Sequence, residues 1–186
     1  VRFLLTDALY SPTKGLPAVN ENYPITITMV KGGSSVNTVT FKPQTGVNAL
    51  VTGNIPLHGM FVLEGADYIF FDGANTNGGT SKNLTFTNTH GSTPLFMLRN
   101  DAQNNIIKHS VIKGRTNYAG GALVVFGPST LPGATNGNDN NLVHNNDLTD
   151  DGGVGFITGI YSAGTPGKDN NNNTISDNNI YNWTTS

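Results

Sequence analysis

The 186-residue sequence contains no cysteine, which excludes disulfides and thiolate metal sites. Charge is scarce. Ten Lys and Arg face twelve Asp and Glu, so charged residues make up 12% of the chain, against roughly 25% in an ordinary domain. The resulting net charge of −2 offers no attraction to nucleic acid or to anionic membranes. No apolar run approaches the roughly 20 residues of a membrane-spanning helix. Helical periodicity is missing as well: every window with apolar residues at i, i+3, i+4 and i+7 is broken by Gly, Pro or Asn. The opening "VRFLLTDALY" lacks the charged start, long apolar stretch and cleavage site of a secretory leader. No P-loop, GxSxG elbow or HExxH motif occurs.

What the chain does hold is asparagine, glycine and threonine, numbering 26, 23 and 23. Gly and Asn tolerate left-handed turns and Thr favours strands, so the mixture suits many short strands joined by tight corners. Hydrophobic residues still reach 36%, too many for a disordered chain. Strand patterns recur in "PITITMV" (24–30), with Ile25, Ile27 and Met29 alternating against Thr26 and Thr28, and in "TVTF" (38–41), "GMFVLEG" (59–65) and "DYIFFDG" (67–73). They continue in "NLTFTN" (83–88), "PLFML" (94–98), "ALVVFG" (122–127) and "GFITGIYS" (155–162).

A repeat decides the architecture. "NNIIKHSVIKG" (104–114), "NNLVHNNDLTD" (140–150) and "NNTISDNNIYN" (172–182) align at their Asn pairs. Ile107, Val143 and Ile175 then share one column, and Ile112, Leu148 and Ile180 a second, with Ser110, Asn146 and Asn178 between them. Apolar positions five residues apart lie on opposite faces of a flat strand. They both point inward if a bend separates them, and a small polar residue at that bend can bond the backbone groups the corner leaves unpaired. The phrases recur at 36 and 32 residues, which exceeds a rung of about 20–25 residues by one loop. Those loops are "GPSTLPGATNGND" (127–139) and "SAGTPGKD" (162–169). The pattern predicts an all-β fold, a parallel β-helix or β-solenoid, with ladders of identical positions and its loops on one side. Residues 1–23 read as an irregular N-terminal segment that caps the first rung, and 24–186 as the β-helix. Its C-terminal rung, which ends in "NNIYNWTTS", reads as open.

The N-x-I-x-x-N-x-I columns resemble the right-handed parallel β-helix of the pectin-lyase-like superfamily. "GADYIFFDG", "SKNLTFTNT", "NNIIKHSVIKG", "GNDNNLVHNNDL" and "NNTISDNNIYN" resemble β-helix segments of very large secreted bacterial surface proteins. The resemblance runs from about residue 24 to the C-terminus. It implies a right-handed coil and an extracellular or cell-surface location. It does not fix an activity, because the superfamily includes lyases, hydrolases, adhesins and modules without a reaction. The expected function is a structural, adhesive module that touches polysaccharide or associates end to end with other copies of itself into filaments. Neither nucleic acid nor membrane insertion is expected. The alternative is a carbohydrate-active enzyme, a polysaccharide lyase or glycoside hydrolase.

Candidate chemistry is sparse. If the chain is an enzyme, Asp147, Asp150, Asp151 and Asp177 are the carboxylates for glycoside hydrolysis. Against this, "LTDDGG" reads as a turn, which Asp favours. Lys108, Lys113 and Arg115 are the bases a lyase would need, set against a plain solvated face. Asp139 and Asp169, one in each variable loop, are weak calcium ligands, and calcium is the only cofactor considered. His58, His90, His109 and His144 lack metal-ligand spacing. Tyr118, Tyr161, Tyr181 and Trp183 lie near loops and strand ends, where an aromatic face beside amides suits a sugar ring.

Overall fold

The computed structural model describes residues 1–12, 21–116, 122–153 and 155–184. Among them there is no helix, and the chain winds through short strands three to a coil. The first coil holds β1 (Arg2–Leu5), β2 (Leu9–Tyr10) and β3 (Ile25–Thr28). The second holds β4 (Val39–Pro43), β5 (Ala49–Gly53) and β6 (Phe61–Glu64), and the third β7 (Ile69–Asp72), β8 (Leu84–Asn88) and β9 (Phe96–Arg99). The fourth holds β10 (Ile106–Lys108), β11 (Ser110–Gly114) and β12 (Val124–Phe126), and the fifth β13 (Leu142–His144), β14 (Asp147–Thr149) and β15 (Ile160–Ser162). A sixth begins with β16 (Thr174–Ser176) and β17 (Asn179–Ile180). Every strand pairs in parallel with its equivalent one coil away. Three stacked sheets result: A (β1-β4-β7-β10-β13-β16), B (β2-β5-β8-β11-β14-β17) and C (β3-β6-β9-β12-β15). The chain is a parallel β-solenoid, as its repeat predicts.

The corners explain the asparagines. Sheet A passes to sheet B through single left-handed residues, His109, Asn145 and Asp177, with φ of 52°, 50° and 56°. One such residue reverses the in–out alternation, so Ile107 and Ile112 both face inward although five residues apart. The chain enters sheet A through another left-handed column, Tyr68, Asn104, Asn140 and Asn172. Asn is among the few non-glycine residues that tolerate this conformation. Where Gly73 occupies the first corner of the third coil, a Cβ would lie 1.8 Å from the carbonyl oxygen of His109, so no side chain fits.

Beside each left-handed column runs a ladder of side-chain amides. Asn105 donates to Asn141 Oδ1 from its backbone N at 2.9 Å and from Nδ2 at 3.0 Å. Asn141 does the same to Asn173, at 2.9 and 3.1 Å. Each Nδ2 also donates to a carbonyl of the preceding coil: Asn105 to Ala66, Asn141 to Ala102. A second ladder links Ser110, Asn146 and Asn178, and a third links Ala102, Asn138 and Asn170. These bonds satisfy the backbone donors that a corner removes from the sheets.

Inside, the columns stack as expected. Sheet A contributes Phe3, Phe41, Phe71, Ile107, Val143 and Ile175. Sheet B contributes Val51, Phe86, Ile112, Leu148 and Ile180, and sheet C contributes Ile25, Phe61, Phe96, Val124 and Ile160. Phe41 and Phe71 stack with ring centroids 5.3 Å apart, and Phe61 and Phe96 at 5.4 Å. Such pairs add about 0.5–1.5 kcal/mol beyond the area they bury.

Three expectations are corrected. Residues 2–5 and 9–10 of the segment expected to be irregular are strands of the first coil, with Arg2–Leu5 paired to Thr40–Pro43. Met29, read as inward-facing, lies beyond the end of β3 and is 73% exposed. Ile175 and Ile180 occupy the expected columns but are 51% and 44% exposed, because β16 and β17 are the last strands of their sheets among the described residues. The two variable loops do stack on one another at the corner from sheet C to sheet A, where the backbone N of Ser129 donates to Thr165 Oγ1 at 3.0 Å.

Exposure sets the cost of charge in a column. Val143→Asp buries a carboxylate between Ile107 and Ile175 and is expected to cost at least about 4 kcal/mol, whereas Ile175→Asp costs under about 1 kcal/mol. Asn141→Ala strands the buried backbone N–H of Asn105 and is expected to cost about 3 kcal/mol. Urea unfolding of the three variants measures all of these.

Candidate functional site

The carboxylates singled out in the sequence each hold a different partner. Asp147, on the outer face of sheet B, pairs with Lys82 Nζ at 2.6 Å. The fully buried Asp151 side chain accepts from Arg115 Nε at 2.8 Å and lies 2.7 Å from its second guanidinium nitrogen. Asp150 accepts from Asn182 Nδ2 at 3.0 Å. Asp177 sits at the A–B corner, 3.2 Å from His144 Nδ1. Asp139 accepts from the backbone N of Asn171 at 2.6 Å, and the backbone carbonyl of Asp169 accepts from Asn171 Nδ2. No group of three or more His, Cys, Asp or Glu that could hold a metal ion occurs among the described residues.

The basic and aromatic candidates are also spread out. Lys108 lies 3.6 Å from Asp72, whose other oxygen is 2.9 Å from His109 Nδ1. Lys113 lines a shallow recess on sheet B with Lys82 and Asp151. Tyr161 ends an outward column of sheet C that includes Val62, Met97 and Val125. Tyr181 and Trp183 lie at the other end of the last coil's path, Trp183 beside Phe156. Tyr118 lies outside the described residues.

A different place brings carboxylates together. A groove of about 590 Å³ runs along the C–A corner from the first coil to the fourth. Glu64, Asp67, Asp101 and Gln103 form its polar wall, and Met29, Leu131 and Pro132 its apolar one. The loop after β12 folds over it. Thr130 and Leu131 donate their backbone N–H groups to Asn100 Oδ1 at 2.7 and 3.0 Å, and Thr135 and Asn136 donate theirs to Asp101 Oδ2 at 2.5 and 3.1 Å. Consecutive left-handed residues, Asn100 and Asp101 (φ 57° and 68°), aim both side chains at that loop.

The three acids differ in state. Glu64 is held by Arg99 Nε at 2.5 Å and by the Asn100 amide. Asp101 Oδ1 is buried without a hydrogen-bond partner. Burial pushes the Asp67 carboxyl above its ordinary value, and the neighbouring Asp101 charge pushes it the same way, against a bond from the backbone N of Gln103 at 2.8 Å. The groove therefore couples a carboxyl that holds its proton more tightly than usual with a second carboxylate. The sequence carried one signal for it: continuing the 36-residue period back from Asn104 to Tyr68 places Asp67 and Gln103 at one corner, one coil apart.

Comparison with protein-family models, curated proteins and solved structures returned no match.

The sign of the Asp67 shift fixes a pH dependence. Between its ordinary value of 3.8 and its raised folded-state value, the folded protein binds more protons than the unfolded chain. Stability contributed by this group therefore falls as pH rises through that window. Asp67→Asn keeps an oxygen for Gln103 and removes the charge. It is expected to abolish that decline and to be more stable than wild type at neutral pH, as read from denaturant midpoints over roughly pH 3–7.

Proposed function

We propose that this chain is a rigid structural and adhesive module of an extracellular or cell-surface protein, which contacts polysaccharide along the C–A groove. The observation that carries this reading is the composition of the groove. Exposed apolar side chains (Met29 is 73% and Leu131 49% exposed) line it together with carboxylate and amide groups, the pairing a sugar ring needs. The ladders supply rigidity, because each corner is bonded to the next. The resemblance to the pectin-lyase-like superfamily supports the same reading. So does the near-universal right-handedness of parallel crossovers, from which we take the coil to be right-handed. A composition with little Lys and much Asn and Thr suits a secreted protein.

Two observations favour further readings. The raised carboxyl of Asp67, with the Asp101 charge near it, suits the acid of an acid–base pair such as a glycoside hydrolase uses. The exposed Ile175, Ile180 and Trp183 at the edges of β16 and β17 suit pairing with another copy, which would extend the stack end to end into a filament.

Glycan-array binding, followed by assays for new reducing ends and unsaturated uronates, separates these readings. The expected result is binding without turnover, weakened at least tenfold by the double variant Met29→Ala/Leu131→Ala. Turnover abolished by Asp67→Asn or Asp101→Asn would replace the adhesive reading with the hydrolytic one. Light scattering over a concentration series reads end-to-end growth, which Ile180→Asp is expected to abolish.

A further inference from the structure

The outer face of sheet A contains a charge that the fold does not satisfy. Lys42 alternates with the inward Phe41 on β4 and so points outward, yet it is only 6% exposed. The connection from β7 to β8 covers it. That loop is pinned to the previous coil by Asn75 Nδ2, which donates to the Val47 carbonyl at 3.3 Å. Lys42 Nζ donates to the Thr76 carbonyl at 3.3 Å, a long bond and the only one it makes among the described residues. An ammonium carries three donors, and lysine is almost never buried unless paired. Among the described residues no carboxylate forms an ion pair with Lys42. Asp72, the acid next in register on β7, is occupied by His109 Nδ1 at 2.9 Å, the backbone N of Ala74 at 3.1 Å and Lys108 at 3.6 Å.

Lys42 faces a recess of about 270 Å³ whose walls also carry Arg2, Lys108 and the loop residues Asn77–Thr80. Arg2, Lys42 and Lys108 line it with a single carboxylate, Asp72, which is already paired with Lys108. We propose that this recess is a binding site for an oxyanion — a carboxylate, sulfate or phosphate group — whose oxygens take the free N–H groups of Lys42. Lys42 supplies a compact charge at the base, and Arg2, exposed at the rim, offers a guanidinium fork to the same group. The 270 Å³ recess has room for the anionic group and part of the small molecule that bears it. The site lies on a different sheet face from the C–A groove and does not depend on the adhesive reading.

The test is calorimetric titration of the full chain with sodium sulfate, sodium phosphate and sodium galacturonate, each at ionic strength fixed with sodium chloride. One of the three is expected to bind at one site per chain. Lys42→Met, which keeps length and burial but not charge, weakens that binding at least tenfold. Arg2→Gln, at an exposed strand position, weakens it about threefold, and Lys31→Gln, on an exposed turn, leaves it unchanged. Sulfate and phosphate also stabilise proteins generally by exclusion from their surfaces, so thermal midpoints are compared as wild type minus Lys42→Met. Without added oxyanion, Lys42→Met is expected to melt no lower than wild type. Whether the inorganic ions or the uronate bind better identifies the source of the group. Absence of binding by all three, or binding unchanged in both Lys42→Met and Arg2→Gln, overturns the proposal. So does a Lys42→Met variant that melts lower than wild type or fails to fold, because the lysine would then be satisfied within the protein.

Discussion

A coil that turns a corner takes backbone donors out of the sheet, and water cannot reach them inside a stack. The side-chain amide of asparagine resolves this constraint. Asn141 accepts from the backbone N and Nδ2 of Asn105 and donates to the Ala102 carbonyl and to Asn173. One side chain thus links the corners of the coils on both sides of its own. Leaving any one of these buried donors unmade costs about 1–3 kcal/mol, and the corners recur in every coil. From the fourth coil on, the ladders therefore fix where the strands begin, and the strands fix which apolar residues face inward.

The interior follows from that geometry but is not uniform along the axis. The inward columns carry Phe through the third coil, at Phe71, Phe86 and Phe96, and then change to Ile107, Ile112 and Val124. Rings fill the N-terminal half by edge-to-face contact, with centroids of Phe71, Phe86 and Phe96 5.0–6.0 Å apart. The C-terminal half relies more on branched aliphatics of smaller volume, although Phe126 and Phe156 are buried there too. The change coincides with the appearance of the amide ladders. Ile69 and Leu84 stand in the third coil where Asn105 and Ser110 stand in the fourth.

That change also explains how much of the fold was legible. From residue 104 onward the repeat was explicit, because Asn–Asn marks each entry into sheet A and a second small polar residue marks each entry into sheet B. Registers there, such as Ile107–Val143–Ile175, could be written down directly. Before residue 104 the same corners are made by Tyr68 and Gly73, which carry no common letter. β5 went unrecognised because "ALVTG" is short, with Ala and Gly at its ends. β1 and β2 were hidden because their partners lie 38 and 41 residues on, beyond an interval set by the C-terminal phrases. The groove was invisible for a related reason. Asp67 and Asp101 converge only when the coil is closed, and the acids that looked clustered in sequence, Asp147 to Asp151, are dispersed to Lys82, Asn182 and Arg115.

Coil-to-coil register also governs the charges. Glu64 meets Arg99, Asp72 meets Lys108, and Arg115 meets Asp151, each pair 35 or 36 residues apart and in neighbouring coils. Lys82–Asp147 skips a coil, but these pairs each join a residue to the coil directly above or below. Asp72 lies between Lys42 and Lys108 on the outer face of sheet A, and its ion pair is with Lys108. A repeat of this kind satisfies a charge only when its neighbour in the column is opposite in sign and not already engaged. Lys42 meets the first condition and fails the second, and the loop over it leaves it only 6% exposed, with little water to make up the difference outside the recess it lines. The same column logic that makes the ladders strong therefore makes an unmatched member conspicuous, and it locates that member at one depth on one face.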